Sequence, residues 1–151
     1  MNQVIKFRAK SKLNGKWHYG SLITIDGNDQ SRIVPIGEEY DDIIPSMIRV
    51  ISHTAGQFIG LHDKTGKEIY CGDLVKAKRA NSGLGDMDDL YEIVYHERYA
   101  LYCYKCVRCD MNDYRVGKIA EGRTAHPYFI SPAITEVIGN IHDNQDLIHG
   151  K

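Results

Sequence analysis

Between Gln57 and Val75 the chain reads QFIGLHDKTGKEIYCGDLV, a run that carries several backbone instructions at once. Two extended pieces flank Asp63-Lys64-Thr65-Gly66-Lys67. Within that loop an Asp can accept hydrogen bonds from its own following amides and a Gly can take a positive φ, so a tight hairpin is predicted. Gly72-Asp73 then opens a further strand, Leu74-Val75-Lys76-Ala77-Lys78. A chain with this stretch at its centre is committed to antiparallel pairing there.

The rest of the sequence extends the pattern. Val4 to Ala9 alternates by face and is followed by Asn14-Gly15, a strong hairpin signal, before Trp17-His18-Tyr19 resumes an extended run. Leu22 to Ile25 leads into a turn cluster at Asp26-Gly27-Asn28-Asp29, and Arg32 to Ile36 gives a short strand in which Pro35 favours an edge or an end. Glu38-Glu39-Tyr40-Asp41-Asp42 reads as a solvated acidic linker, after which Met47 to Ile51 alternates again. Further strands are predicted at Tyr91 to His96, Ala100 to Lys105 and Val137 to Ile141, with a long loop at Asn81 to Asp86. Asp110 to Pro132 is read as irregular with one or two helical turns between Tyr114 and Glu121, and Asp143 to Ile148 as a terminal turn or short helix. Such a succession of short strands predicts a mainly β protein with little helix, closed into a compact barrel.

Three blocks of this chain, Ile5-Lys6-Phe7-Arg8-Ala9, the Gln57 to Val75 run and Glu136-Val137-Ile138-Gly139-Asn140-Ile141, resemble the YopX-like family of phage and prophage proteins, whose hallmark has the form QFTGLxDKxGKEIYEGDIV. Cys71 stands where relatives carry Glu, and Gln145 where the closing EVIGNIYENPELL pattern carries Pro. The resemblance implies an N-terminal β-hairpin or sheet region over residues 1–50 and a C-terminal SH3-like barrel over 51–151, with the boundary near 42–55. It implies phage origin but no particular reaction. The signature positions Gln57, Gly60, Leu61, Asp63, Gly66, Gly72, Asp73 and Gly139 are read as maintaining the fold, the glycines through turn geometry and Asp63 and Asp73 by accepting from turn amides.

The 19 Lys and Arg stand against 20 Asp and Glu, and the net charge of -1 supplies no global field toward nucleic acid or an anionic membrane. A nucleic-acid site would therefore be a local patch. Lys76, Lys78 and Arg79 at one strand end form such a strip, and Arg8, Lys10, Lys12 and Lys16 form another in the N-terminal hairpin, although nearby acidic runs also fit an ordinary solvated face. Cys103-x-x-Cys106-x-x-Cys109 has ligand-like spacing, yet a tetrahedral site needs a fourth ligand such as Cys71 or His96, and strand alternation would send Cys106 away from the other two. We expect no metal. The seven histidines form no ligand motif, and nucleophile elbow, P-loop and dinucleotide fingerprints are all missing, so neither a catalytic residue nor a cofactor is expected. No apolar run could span a bilayer, which places the protein in the cytoplasm with no membrane partner.

Ten tyrosines, with Tyr91, Tyr95, Tyr99, Tyr102 and Tyr104 crowded into two successive strands, predict self-association into a homo-oligomer. The expected function is non-catalytic binding of a host or phage macromolecule. Two alternatives are a nucleic-acid-binding regulator and a small-ligand-binding or enzymatic protein with its site between subunits.

Overall fold

The computed structural model describes residues 4–24, 30–36, 47–78, 88–108 and 130–149. The predicted turn cluster at 26–29, the acidic linker at 38–42, the loop at 81–86, Arg79, Cys109 and the helical turns at 114–121 lie outside the described residues. The chain divides into two compact units, Met1–Gly60 and Leu61–Lys151.

The first unit is built on strands β1 (Phe7–Lys10), β2 (Trp17–Ile23), β3 (Arg32–Pro35), β4 (Ile48–Arg49) and β5 (Gly56–His62), the last of which runs on through the division. The predicted N-terminal hairpin is present, β1 pairing antiparallel with β2 from Phe7↔Gly20 to Lys10↔Trp17. Their order is β4-β3-β2-β1-β5, with β6 (Glu68–Tyr70) following β5 as the return arm of the signature hairpin. Alternation sends Ala9, Leu22, Ile33 and Ile48 to one side, where with Val50 and Ala55 they form the core of this unit. A 3-10 turn at Ser52–Thr54 carries the chain from β4 to β5. Thr54 holds it there: its hydroxyl donates to the Ile51 carbonyl at 2.7 Å and accepts from the Lys10 amide at 2.9 Å.

The second unit centres on a four-stranded antiparallel sheet of order β10-β7-β8-β9, comprising β7 (Asp73–Lys78), β8 (Asp88–His96), β9 (Leu101–Arg108) and β10 (Thr135–Asn140). A five-residue helix α1 (Gln145–His149) follows, in line with the predicted terminal turn. The protein is thus mainly β, as its sequence predicts. The SH3-like barrel is a different matter, because no closed barrel is found: among the described residues β9 and β10 are the outer strands of an open order.

Both faces of this sheet bury side chains. Val75, Ile93, Tyr104 and Val137 lie on one side and Leu74, Leu90 and Cys103 on the other. The tyrosine cluster is split accordingly. Tyr91 and Tyr104, 8% and 5% exposed, are core residues with ring centroids 5.1 Å apart, which corrects their assignment to an interface. The reason is that their hydroxyls find partners inside, the Tyr91 hydroxyl donating to Asp89 at 2.9 Å and the Tyr104 hydroxyl bonding Thr135 Oγ1 at 2.5 Å. Tyr95 remains 49% exposed, with Tyr102 packed edge-on against it at 5.4 Å.

Candidate functional site

Two of the three blocks singled out in the sequence, the Gln57 to Val75 run and Glu136 to Ile141, meet at the carboxylate of Asp63. Asp63 Oδ1 accepts from the Thr65 amide (2.8 Å), the Thr65 hydroxyl (2.6 Å) and the Lys67 amide (3.0 Å), while Oδ2 accepts from the Val137 amide at 2.8 Å, 74 residues away in sequence. Burial pushes this carboxyl up, but the bonds from Thr65, Val137 and Lys67 outweigh it and hold the carboxyl at about 2. Asp73, fully buried, accepts from the Tyr70 amide at 2.8 Å. Gly60 and Gly72 have positive φ, Gly139 lies at the β10 bulge where a Cβ would run into the Asn144 side chain, Gln57 pairs with Phe7, and Leu61 lies within β5. These positions are joined by turn geometry and pairing.

Gly66 illustrates the constraint. Its φ is +87 and its amide donates to the Asp63 carbonyl at 3.0 Å, so the chain turns there in a conformation that a β-branched residue resists. Gly66→Val is expected to destabilise the second unit by roughly 1–2 kcal/mol. A urea midpoint unchanged from that of the parent would contradict this.

The strip at Lys76 and Lys78 lies on β7, between β10 and β8. In the register Lys76 stands opposite Glu136 on β10, Lys78 stands opposite Asp88 on β8, and Glu136 is ion-paired to Lys64 at 2.5 Å. The two described members of the cysteine triplet are separated by strand alternation: Cys103 pairs with Val94 and Cys106 with Tyr91, on opposite faces. Cys106 is disulfide-bonded and Cys103 is a free, fully buried thiol. Burial first, and Cys71 second, push the Cys103 thiol up to about 11. Cys103 is therefore expected to resist iodoacetamide at pH 8 in the folded protein and to label once unfolded; rapid labelling of its peptide under native conditions would show the site to be open. Among the described residues no group of three or more His, Cys, Asp and Glu side chains is placed to hold a metal ion, and no helix is long and apolar enough to cross a membrane.

The other basic strip leads to a larger arrangement. Directly opposed residues of antiparallel strands share a face, and the pairs Arg8↔Tyr19, Lys10↔Trp17, Ile23↔Arg32 and Arg32↔Arg49 therefore lie together on the side of the first sheet away from its core. Cations and rings interleave here. The Arg8 guanidinium lies 4.9 Å and Lys10 Nζ 5.5 Å from the Trp17 ring, and Lys6 Nζ 5.4 Å from that of Phe58. Arg8, only 7% exposed, is a prop for the ring.

At the β3–β4 end of this face Lys12, Gln30, Ser31, Arg32 and Arg49 line a cleft of ≈ 210 Å³. Lys12 is fixed there by its amide, which donates to the Arg49 carbonyl at 3.0 Å. Like charges directly opposed across strands destabilise a sheet by roughly 0.2–1 kcal/mol, and Arg32↔Arg49 is such a pair. Arg32 Nε is buried and has no hydrogen-bond partner among the described residues. Period-two alternation alone would have aligned Lys6, Arg8 and Lys10. Nothing local in the sequence joins Arg32, Arg49 and Tyr19 to them, because that depends on the register of four strands.

The family model described as YopX protein matches residues 6–149, nearly the whole chain. Among solved structures, the crystal structure of protein EF1440 from Enterococcus faecalis is similar in fold, with a TM-score of 0.54 and 19% sequence identity over 97% of this chain and 99% of that one. No curated protein matches the chain.

Proposed function

The chain belongs to the YopX family, and from that premise we propose that it is a phage or prophage accessory protein that works in the host cytoplasm without catalysis, by binding a polyanionic macromolecule through the basic, aromatic face of its N-terminal sheet. The observation that carries this reading is the direct opposition of Arg32 and Arg49 beside Lys12 around one cleft, with a buried Arg32 N–H lacking a partner among the described residues. The repulsive pair costs stability in the free protein and is relieved by an anion placed between the two guanidinium groups.

Chromatography on immobilised heparin tests it. The parent protein is expected to be retained and to elute with salt, and the double variant Arg32→Glu/Arg49→Glu to elute far earlier, while Lys76→Glu, beside its carboxylate neighbours, elutes with the parent. Retention unchanged by the double reversal would sink the proposal.

Self-association is a second reading, supported by the outer position of β9 among the described residues and the half-exposed Tyr95 ring next to Tyr102. A strictly monomeric mass by light scattering across micromolar concentrations would reject it.

A further inference from the structure

We infer that the polyanion is a single-stranded nucleic acid, with its phosphates held by Lys12, Arg32 and Arg49 and a base stacked on Tyr19. The inference rests on the binding reading above and narrows its partner.

Three features of the face distinguish a single strand from other polyanions. The cleft, at ≈ 210 Å³, is smaller than the roughly 300–1,000 Å³ of pockets that enclose a small organic ligand. It suits a phosphate group whose sugar and base remain outside. The ring of Tyr19 is 46% exposed on the same face, and Ile23, 37% exposed, lies between it and the cleft, directly opposite Arg32. A duplex hides its base faces in the stack and would leave this aromatic and aliphatic ground unused, whereas a single strand turns its bases outward onto such platforms. Finally, Tyr19 is four residues from Ile23 along β2, a run of roughly 13 Å at the rise of an extended strand. That is about two nucleotides of an extended backbone, so one strand can place a phosphate at Arg32 and a base at Tyr19 without bending.

Fluorescence anisotropy with a labelled 16-nucleotide oligothymidylate, a labelled duplex of the same length and inorganic polyphosphate as competitor tests this. The single strand is expected to bind at least tenfold more tightly than the duplex. Tyr19→Leu, which keeps apolar bulk but removes the ring, is expected to weaken oligothymidylate binding by roughly 5- to 100-fold, while Tyr19→Phe, which keeps the ring, restores it. Arg32→Ala/Arg49→Ala should reduce the slope of log affinity against log salt by about 1.4, the share of two phosphates on a single strand.

Equal or tighter binding of the duplex would overturn the single-strand inference, and so would polyphosphate displacing the oligonucleotide equally well from the parent and Tyr19→Leu. In both cases heparin retention keeps the polyanion reading alive. Absence of binding to all three probes together with loss of heparin retention would remove both.

Discussion

Asp63→Ala is expected to lower the stability of the protein by roughly 2–4 kcal/mol, because a bond to a charged acceptor contributes about 1.5–3 kcal/mol and a buried donor left unmet costs about 1–3. Four bonds end on this one side chain, but they do not count equally. The Thr65 and Lys67 amides lie in an exposed turn where water can replace the carboxylate. The Val137 amide is buried, and its bond to Oδ2 ties the hairpin turn to β10. Most of the loss therefore comes from that single long-range bond, with the turn contributing the remainder. Against a total stability of roughly 5–15 kcal/mol this is a large fraction. Urea unfolding of the variant measures it, and a loss below about 0.5 kcal/mol, the range of an ordinary surface change, would show that the carboxylate is not the tie described.

The same carboxylate sets an acid limb. Its folded-state value of about 2 lies below the ordinary 3.8, so ionised Asp63 favours the fold at every pH above its unfolded value. That contribution is complete above about pH 5 and is lost as the pH falls toward 2. Parent and Asp63→Asn stability curves should therefore converge over that window and run parallel above it. Curves that stay parallel down to pH 2 would place the acid sensitivity elsewhere.

What the sequence disclosed and what it withheld divide along the distance between interacting residues. The turn at Asp63 to Lys67 was readable because Asp and Gly act on their own neighbours, and the positive φ of Gly66 and the Thr65 and Lys67 bonds follow from that local chemistry. The acceptance of Val137 by the same Asp was not, since nothing near Val137 announces it. The strands at Leu74 to Lys78 and Tyr91 to His96 were readable from β-branched and aromatic runs, yet the fate of each tyrosine depended on where its hydroxyl found a partner. Tyr104 went inside because Thr135 comes alongside it, and Tyr95 stayed half-exposed. The closed barrel was expected from the succession of short strands as well as from the resemblance, and the open order β10-β7-β8-β9 among the described residues shows how little strand count says about closure. The candidate binding face was half legible. Arg8 and Lys10 alternate visibly, whereas Arg32 and Arg49 join them only through the β2–β3–β4 register.

That register can be tested at Gly20, where two backbones come too close for any side chain. Gly20 on β2 lies between Phe7 of β1 and Pro35 of β3, and a Cβ there would press on the Val34 carbonyl oxygen and lie 2.7 Å from the Val34 carbonyl carbon and 2.9 Å from Pro35 Cα. These are main-chain atoms, so β3 would have to move as a whole. Gly20→Ala is accordingly expected to cost about 1–3 kcal/mol or more, the range for inserting a methyl where there is no room, while Ser21→Ala, at an exposed neighbour, stays within about 0.5 kcal/mol of the parent. The displacement would also carry Arg32 away from Ile23 and Tyr19, so the variant that remains folded in the cold should lose oligothymidylate affinity although no charge or ring has been removed. Gly20→Ala as stable as Ser21→Ala would mean that β2 and β3 are not paired in this register. The shared face of Tyr19, Arg32 and Arg49, and with it the proposed path of the strand, would then fall.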